Sequence, residues 1–458
     1  MGLRDRLKKA DAPPPRTTPA GGVGALTPSP SWTGITTEVY QNLKHELHQK
    51  LIEKLDLGTI EKLPREQLRD ELRLILSSLL AGSELPLNRT ERETMVEELL
   101  DEVMGLGPLE PLLRDMSISD ILVNRFDTIY IERFGKLELT GVRFRDNEHL
   151  QQIINRIVSR VGRRVDDSCP MADARLGDGS RVNAIIPPLA LDGAVLSIRR
   201  FGGAPLRIKD MLGIGSITPE MVGFLGSAVK AKCNVLISGG TGTGKTTMLN
   251  ALSSFIADAE RIITIEDAAE LQLQQKHVVR LETRPPNVEG RGEVLARDLV
   301  RNALRMRPDR IVIGECRGSE ILDMLQAMNT GHEGSMTTVH ANSARDALSR
   351  MEAMVGMAGL QMSETLVRQT IARAINLVVQ LNRGTDGKRR ISSVSEITGM
   401  EGAVITLQEI FKFEQRGVDK DGRIVGEYRA TGVRPKIMER VERFGINPVD
   451  VVRPFLTS

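Results

Sequence analysis

Aromatic residues make up only 3% of this 458-residue chain, with a single tryptophan. Proteins that track single-stranded nucleic acid stack bases on aromatic side chains above a basic groove. A net charge of +2 gives no whole-chain sign of such a groove. Cysteine is equally scarce. Cys169, Cys233 and Cys316 lie far apart, form no C-x-x-C pair and, being odd in number, close no disulfide framework. They read as reduced thiols of a cytosolic protein and give no support to a zinc site. No run of about 18 apolar residues occurs, so no membrane-spanning helix is expected. The first residues carry charge without an apolar segment, so a secretory signal is not expected.

One glycine-rich stretch stands out. Gly239-Gly240-Thr241-Gly242-Thr243-Gly244-Lys245-Thr246-Thr247 follows the apolar run Asn234 to Ser238 and precedes a segment of helical character, Thr247 to Phe255. This is G-x-x-x-x-G-K-T between a strand and a helix, the setting of a phosphate-binding P-loop. Glycines let the backbone curl until successive N–H groups face phosphate oxygens. The helix N-terminus adds its partial positive charge. Lys245 is placed for the β- and γ-phosphates of a nucleoside triphosphate and Thr246 for Mg²⁺.

Around it the chain changes character several times. Residues 1–34 are rich in Pro, Gly, Thr and Ala and read as a disordered tail. Residues 35–114 read as a helical bundle. Val39, Leu43, Leu47, Leu51, Ile52 and Leu55 recur at helical spacing, then Leu68, Leu72, Leu74, Ile75, Leu79 and Leu80. Thr90-Glu91-Arg92-Glu93 resembles a capping box opening a third helix, which Gly105-Leu106-Gly107-Pro108 stops. Residues 115–202 read as an α+β domain, 203–206 as a linker, and 207–458 as an α/β domain ending in antiparallel hairpins.

Two apolar strands end in acids. Arg261 to Glu270 delivers Glu266, and Arg307 to Arg317 delivers Glu315 in the manner of a Walker B strand. Carboxylates at such strand ends sit where open α/β sheets bind ligands. Either one suits a Mg²⁺ shell or the orientation of an attacking water, and the residues alone do not divide these roles. A third stretch, Gly331 to Asn342, holds His332 and His340. Beside the two acid-bearing strands, His340 suits a role in sensing the γ-phosphate.

The order P-loop, Ile265-Glu266-Asp267, Gly314-Glu315-Cys316-Arg317 and Thr337-Thr338-Val339-His340-Ala341 resembles the type II/type IV secretion ATPase superfamily. Within it the chain is most similar to the CpaF/TadA family, the tight-adherence (Flp) pilus assembly ATPases. Supporting stretches are Gly105 to Leu113, Asp178 to Ala184, Leu281 to Asn287 and Val394 to Gly402. The chain lacks the tetracysteine zinc module common in type II secretion and pilus-extension relatives. Its helical region is also absent from the shorter conjugation-type relatives.

The resemblance implies a cytoplasmic homohexamer, peripheral at the inner membrane, whose RecA-like motor domains bind ATP and Mg²⁺ against the N-terminal domain. It implies phosphate and metal contacts from Lys245 and Thr246, and water activation and metal binding shared by Glu266 and Glu315. His340 would couple the γ-phosphate to these acids. Arg181, Arg280 and Arg284 are similar to the family's nucleotide-contacting arginines, and Arg199, Arg200 and Phe201 are candidates for adenine or ribose contacts. The implied partners are polytopic inner-membrane pilus platform proteins, with no direct nucleic acid. A DNA-transfer ATPase and an ATP-gated scaffold with negligible turnover are the competing expectations.

Overall fold

The computed structural model describes residues 37–54, 64–82, 87–133, 135–201, 206–287, 289–359 and 361–447. The expected tail over 1–34, most of the 203–206 linker and the stretch after 447 lie outside the described residues. By its contacts the chain divides into two compact units. One holds the described residues to Ile157 with Arg164–Ala172 and Asn183–Ile198; the other holds Val158–Arg163, Asp173–Val182 and the chain from Arg199.

The first unit opens with α1 (Thr37–Lys54), α2 (Arg65–Ala81) and α3 (Arg89–Met104). Tyr40, Leu43, Leu47 and Leu51 of α1 pack with Leu72, Leu76 and Leu80 of α2 and Met95 and Leu99 of α3. Two of the expected stripe residues fall elsewhere. Leu74 is 72% exposed and Val39 39%. The buried face of α2 runs in steps of four from Leu72, and two residues further on the helix has turned to the opposite side. The expected capping box is also displaced. Asn88 is the N-cap, accepting from Glu91 N at 2.9 Å while Glu91 Oε2 accepts from Asn88 N at 2.8 Å. Asn88 is in extended conformation, as a cap requires, whereas Thr90 is already within the helix. Gly105 closes α3.

A short helix, α4 (Glu110–Arg114), leads into β1 (Ile118–Arg125), β2 (Thr128–Arg133), β3 (Lys136–Leu139), α5 (Asn147–Arg160), β4 (Met171–Arg175), β5 (Arg181–Ile185) and β6 (Val195–Arg199). The strands form a sheet of order β3-β2-β1-β6-β5-β4. Residues 173–182 and Arg199, which precede the expected linker, join the second unit by their contacts.

The second unit continues with α6 (Ile208–Gly213), α7 (Pro219–Lys230), β7 (Val235–Gly239), α8 (Lys245–Ser253), β8 (Ile262–Glu266), β9 (Val278–Glu282), α9 (Ala296–Ala303), β10 (Arg310–Ile313), α10 (Glu320–Asn329), β11 (Met336–Val339), α11 (Ala344–Gly356) and α12 (Glu364–Ala374). Then come β12 (Leu377–Arg383), β13 (Arg389–Glu401), β14 (Val404–Val418), β15 (Ile424–Ala430) and α13 (Met438–Arg443). Among the described residues they form a nine-stranded sheet of order β15-β14-β13-β12-β7-β11-β10-β8-β9. From β12 to β9 neighbours run parallel; from β12 to β15 they run antiparallel.

The change of pattern follows from the sequence. β7, β8, β10 and β11 are buried at every position, as parallel strands covered on both faces must be. β13 and β14 mix buried with partly open and exposed positions and connect through short turns. This is the α/β, RecA-like architecture, accompanied by the N-terminal helices and the α+β sheet.

Candidate nucleotide site

The sheet carries its chemistry at the C-terminal ends of β7, β8, β10 and β11. β7 runs into the glycine-rich loop. Gly242 (φ 69°) and Gly244 (φ 94°) adopt the left-handed conformation that lets the loop double back. At Gly239 a Cβ would lie 2.5 Å from Thr243 Oγ1 and 2.8 Å from Leu381 O, so only glycine fits. Thr243 Oγ1 donates to Gly240 O at 2.9 Å and ties the loop to itself. No side chain caps the start of α8. Its first N–H groups are therefore available to an anion.

Lys245 Nζ donates to Gly239 O and Gly240 O, both at 3.1 Å, and lies 3.9 Å from Glu315 Oε1. Burial lowers the pKa of this ammonium, and Glu315 works the other way. Glu315 follows β10 directly, and Arg317 donates to it through Nε and Nη2. Thr338, on the neighbouring β11, donates from Oγ1 to Gly314 O at 2.7 Å and fixes the turn that presents Glu315.

Glu266 ends β8 at 5% exposure. Its Oε2 accepts from Glu270 N at 2.8 Å and Leu271 N at 2.9 Å, while Oε1 is buried with no partner among the described residues. Burial raises its pKa, against the pull of the two backbone donors. A buried carboxylate oxygen left without a donor is costly unless something else supplies one. That fits an acid built to receive a water, a proton or a metal-bound ligand.

A cleft of about 780 Å³, within the second unit, joins most of these groups. It is lined by Thr241–Thr247, Glu315, His340, Arg181, Arg199, Arg200 and Phe201. Its size suits a nucleotide. Arg181 reaches Ala268 O with Nη2 at 3.1 Å and lies 3.2 Å from Glu270 Oε1, at ion-pair distance although not aligned for a hydrogen bond. Phe201 N donates to Ser180 Oγ at 3.0 Å, and a Cβ on Gly179 would meet the Phe201 ring at 3.0 Å. The turn before Arg181 and the segment Arg199–Phe201 are thereby packed together.

Other expected residues fall outside the lining. Glu266 is not among the lining residues and packs against Gly314. Gly239 and Gly240 also fall outside the lining, and their carbonyls hold Lys245 and Thr243 by hydrogen bonds. Arg280 is exposed on β9. Arg284 donates from Nε to Gly292 O at 2.6 Å, closing its own loop. His332 and His340 are separated by the whole of β11, and His332 contacts Pro308 O at 3.1 Å, outside the cleft lining.

The lining also includes residues the motifs did not single out: Arg175, Asn250, Glu270, Arg317, Arg350 and Arg389. Asn250 on α8 accepts from Gln272 N at 2.9 Å and pins the segment after β8 to the P-loop helix. Glu270 and Arg317 stood inside quoted motifs, one residue class away from notice. Arg175, Arg350 and Arg389 carry no local signal.

The donor set suits a Mg²⁺-bound nucleoside triphosphate: an uncapped helix start, a lysine, a hydroxyl at Thr246 and two carboxylates at adjacent strand ends.

The type II/IV secretion system protein family matches residues 102–423, and the N-terminal domain family of type II secretion system protein E matches residues 40–104. A provisionally named conjugal transfer protein of Mycobacterium tuberculosis is 38% identical over 324 residues, 69% of this chain and 92% of its own. The conjugal transfer protein TrbB of Rhizobium radiobacter is 31% identical, covering 63% of this chain and 86% of its own. The solved VirB11 ATPase of the Brucella suis type IV secretion system, in complex with sulphate, is 30% identical over 64% of this chain and 96% of its own, with a TM-score of 0.35. With the family match spanning most of the chain and the P-loop intact, this protein belongs to the type II/IV secretion system protein family and is an ATP-hydrolysing enzyme.

Proposed function

We propose that this chain is a homohexameric motor that couples ATP hydrolysis to assembly, and possible reversal, of a tight-adherence pilus or to protein secretion. It would act from the cytoplasmic face on polytopic inner-membrane platform proteins. Among the described residues no helix is long and apolar enough to cross a membrane, so the reading places the chain at the membrane through those partners.

The observation that carries the ATPase part is the cleft itself, which collects Lys245, Glu315 and His340 beside Arg181, Arg199 and Arg200. Lys245 is proposed to leave its two backbone carbonyls for the phosphates. Thr246, Glu315 and Glu266 are proposed to hold Mg²⁺, which when bound neutralises charge across the β- and γ-phosphates. The unpartnered Glu266 Oε1 and the Glu315 carboxylate are the two candidates for orienting water. Arg280 and Arg284, outside their own chain's cleft, are proposed to reach the nucleotide of a neighbouring subunit. The tight-adherence assignment rests on the sequence stretches quoted above.

A second reading, DNA transfer of the conjugal kind, is favoured by the names of two relatives, the conjugal transfer protein TrbB and the conjugal transfer protein of Mycobacterium tuberculosis. The two part on one experiment. Phosphate release is measured for the wild type, Lys245→Ala and Glu315→Gln, with oligomer mass recorded and with DNA added or withheld. The motor reading expects a hexamer with slow turnover, indifferent to DNA, lost in both variants while Glu315→Gln still binds ATP. Stimulation by DNA moves the assignment to DNA transfer. A hexamer that binds ATP without turnover, with or without membranes carrying the platform, leaves only a scaffold.

A further inference from the structure

The β12–β13 hairpin overhangs the P-loop, and it carries a cation that no motif explains. Arg389 lines the cleft beside the loop. A Cβ on Gly244 would meet Arg389 Cδ at 3.6 Å, and one on Gly242 would meet Arg383 Nη1 at 3.8 Å. Both arginines therefore stand against the two glycines whose conformation shapes the phosphate cradle.

The hairpin is held firmly. Arg390 pairs with both oxygens of Asp386, at 3.0 and 2.6 Å, and lies 5.4 Å from the Phe413 ring centroid. Asp386 also accepts from Lys388 N at 3.1 Å and Ile424 N at 3.2 Å, which with Arg390 holds its carboxyl well below the usual range. Ser216 Oγ donates to Arg389 O at 2.7 Å. Arg390 is thus committed to the hairpin. Among the described residues the guanidinium of Arg389 has neither an ion pair nor a hydrogen bond. A cation on a braced support loses little freedom when it meets an anion.

Sheet order decides which part of the nucleotide it meets. β12 lies on one side of β7, and β11 and β10 lie on the other. Glu315 and His340 emerge from the latter pair, so the phosphoryl group that is transferred belongs on their side. We propose that Arg389 is a phosphate-binding residue for the part of the polyphosphate that hydrolysis leaves behind, the phosphates shared by ATP and ADP. Arg383 extends the same positive edge. The inference rests on the P-loop being the nucleotide site. An interaction kept equally before and after transfer adds affinity without speeding the chemical step.

The test uses the full chain, a fluorescent ADP analogue and steady-state ATP hydrolysis. Arg389→Ala should weaken ADP binding and raise the KM for ATP by a similar factor, about ten- to a hundredfold for the loss of a charged hydrogen bond, with kcat retained. Arg389→Lys should recover part of the loss, and it replaces the alanine variant if that one melts well below the wild type. Lys388→Ala removes the same charge one residue away, outside the cleft lining, and should bind as the wild type does. Lys245→Ala reports on the site itself: if it still binds ADP, the nucleotide-site reading fails. If Lys245→Ala loses ADP while Arg389→Ala does not, the role given to Arg389 is overturned. It is equally overturned if kcat falls with affinity kept, or if Lys388→Ala weakens binding as much.

Discussion

Arg317 grips a single carboxylate oxygen of Glu315, with Nε at 2.8 Å and Nη2 at 2.5 Å. Its remaining nitrogen, Nη1, reaches Asp267 Oδ2 at 3.1 Å. One side chain therefore links the acid after β10 to the segment after β8. Without it, Glu315 and Asp267 would both lose the guanidinium they share, and their charge would oppose a polyphosphate more strongly. Arg317→Ala is expected to lower kcat/KM about a hundredfold, on the scale of losing one aligned electrostatic donor. Arg317→Lys should restore only a part, because an ammonium cannot set two N–H groups on one carboxylate as a guanidinium does. Steady-state hydrolysis checks both, and wild-type rates in the alanine variant would remove Arg317 from the machinery.

Glu266 ties activity to stability with opposite signs. Its folded pKa is raised by burial, so the folded protein holds this proton more tightly than the unfolded chain. The fold therefore loses stability as pH rises from the ordinary carboxylate value through the raised one. Glu266→Gln has no charge to bury and can still accept from Glu270 N and Leu271 N. It should melt above the wild type at neutral pH, with the gain fading as pH falls towards the ordinary carboxylate range. Its turnover should drop by roughly a hundredfold or more, the scale of a lost general base. Melting curves across pH, run without nucleotide, decide the first half; a variant less stable at every pH would contradict it.

Asn234 performs a structural task just ahead of β7. Its Oδ1 accepts from Gly334 N at 2.8 Å and Ser335 N at 3.0 Å, and its Nδ2 donates to Ala374 O at 2.6 Å. Its own N–H donates to Asn376 Oδ1 at 2.8 Å. Three chain segments meet on one buried amide. Asn234→Ala would leave two backbone N–H groups and a carbonyl unsatisfied, costing about 2–4 kcal/mol. Denaturant unfolding should show a lowered midpoint with an unchanged slope; an unaltered midpoint would mean that water enters and replaces the amide.

The parts of this site that were legible are those whose signal is local. A glycine-rich loop after a fully apolar strand and before a helix can be read because strand, loop and helix are consecutive. The acids Glu266 and Glu315 were legible for the same reason, each closing an apolar run. Arg317 was in plain view within the Gly314-Glu315-Cys316-Arg317 stretch, but its role needs Asp267, a residue brought close only by the parallel pairing of β8 and β10. Arg389 had even less to show. Its meaning comes from β12 lying next to β7, and no motif spans that pairing. Arg280 and Arg284 rest on the resemblance alone; they lie on β9 and just past its end, outside the cleft lining, where Arg284 Nε donates to Gly292 O. In the helical unit the apolar stripe was visible while its exact face was not, since Leu74 and Leu76 differ only by rotation about α2.

Gly314 stands directly before Glu315, yet the side chain it accommodates is Glu266: a Cβ at 314 would lie 2.9 Å from Glu266 Cγ. The smallest residue of one motif is thus the seat of the acid of another. A methyl group at 314 would displace the carboxylate at 266 while leaving both acids in the sequence. In an activity screen, Gly314→Ala should therefore present as damage to Glu266, silent in any additional effect once Glu266→Gln is already present. Two segments that appear independent along the chain behave as a single mutable unit in the fold.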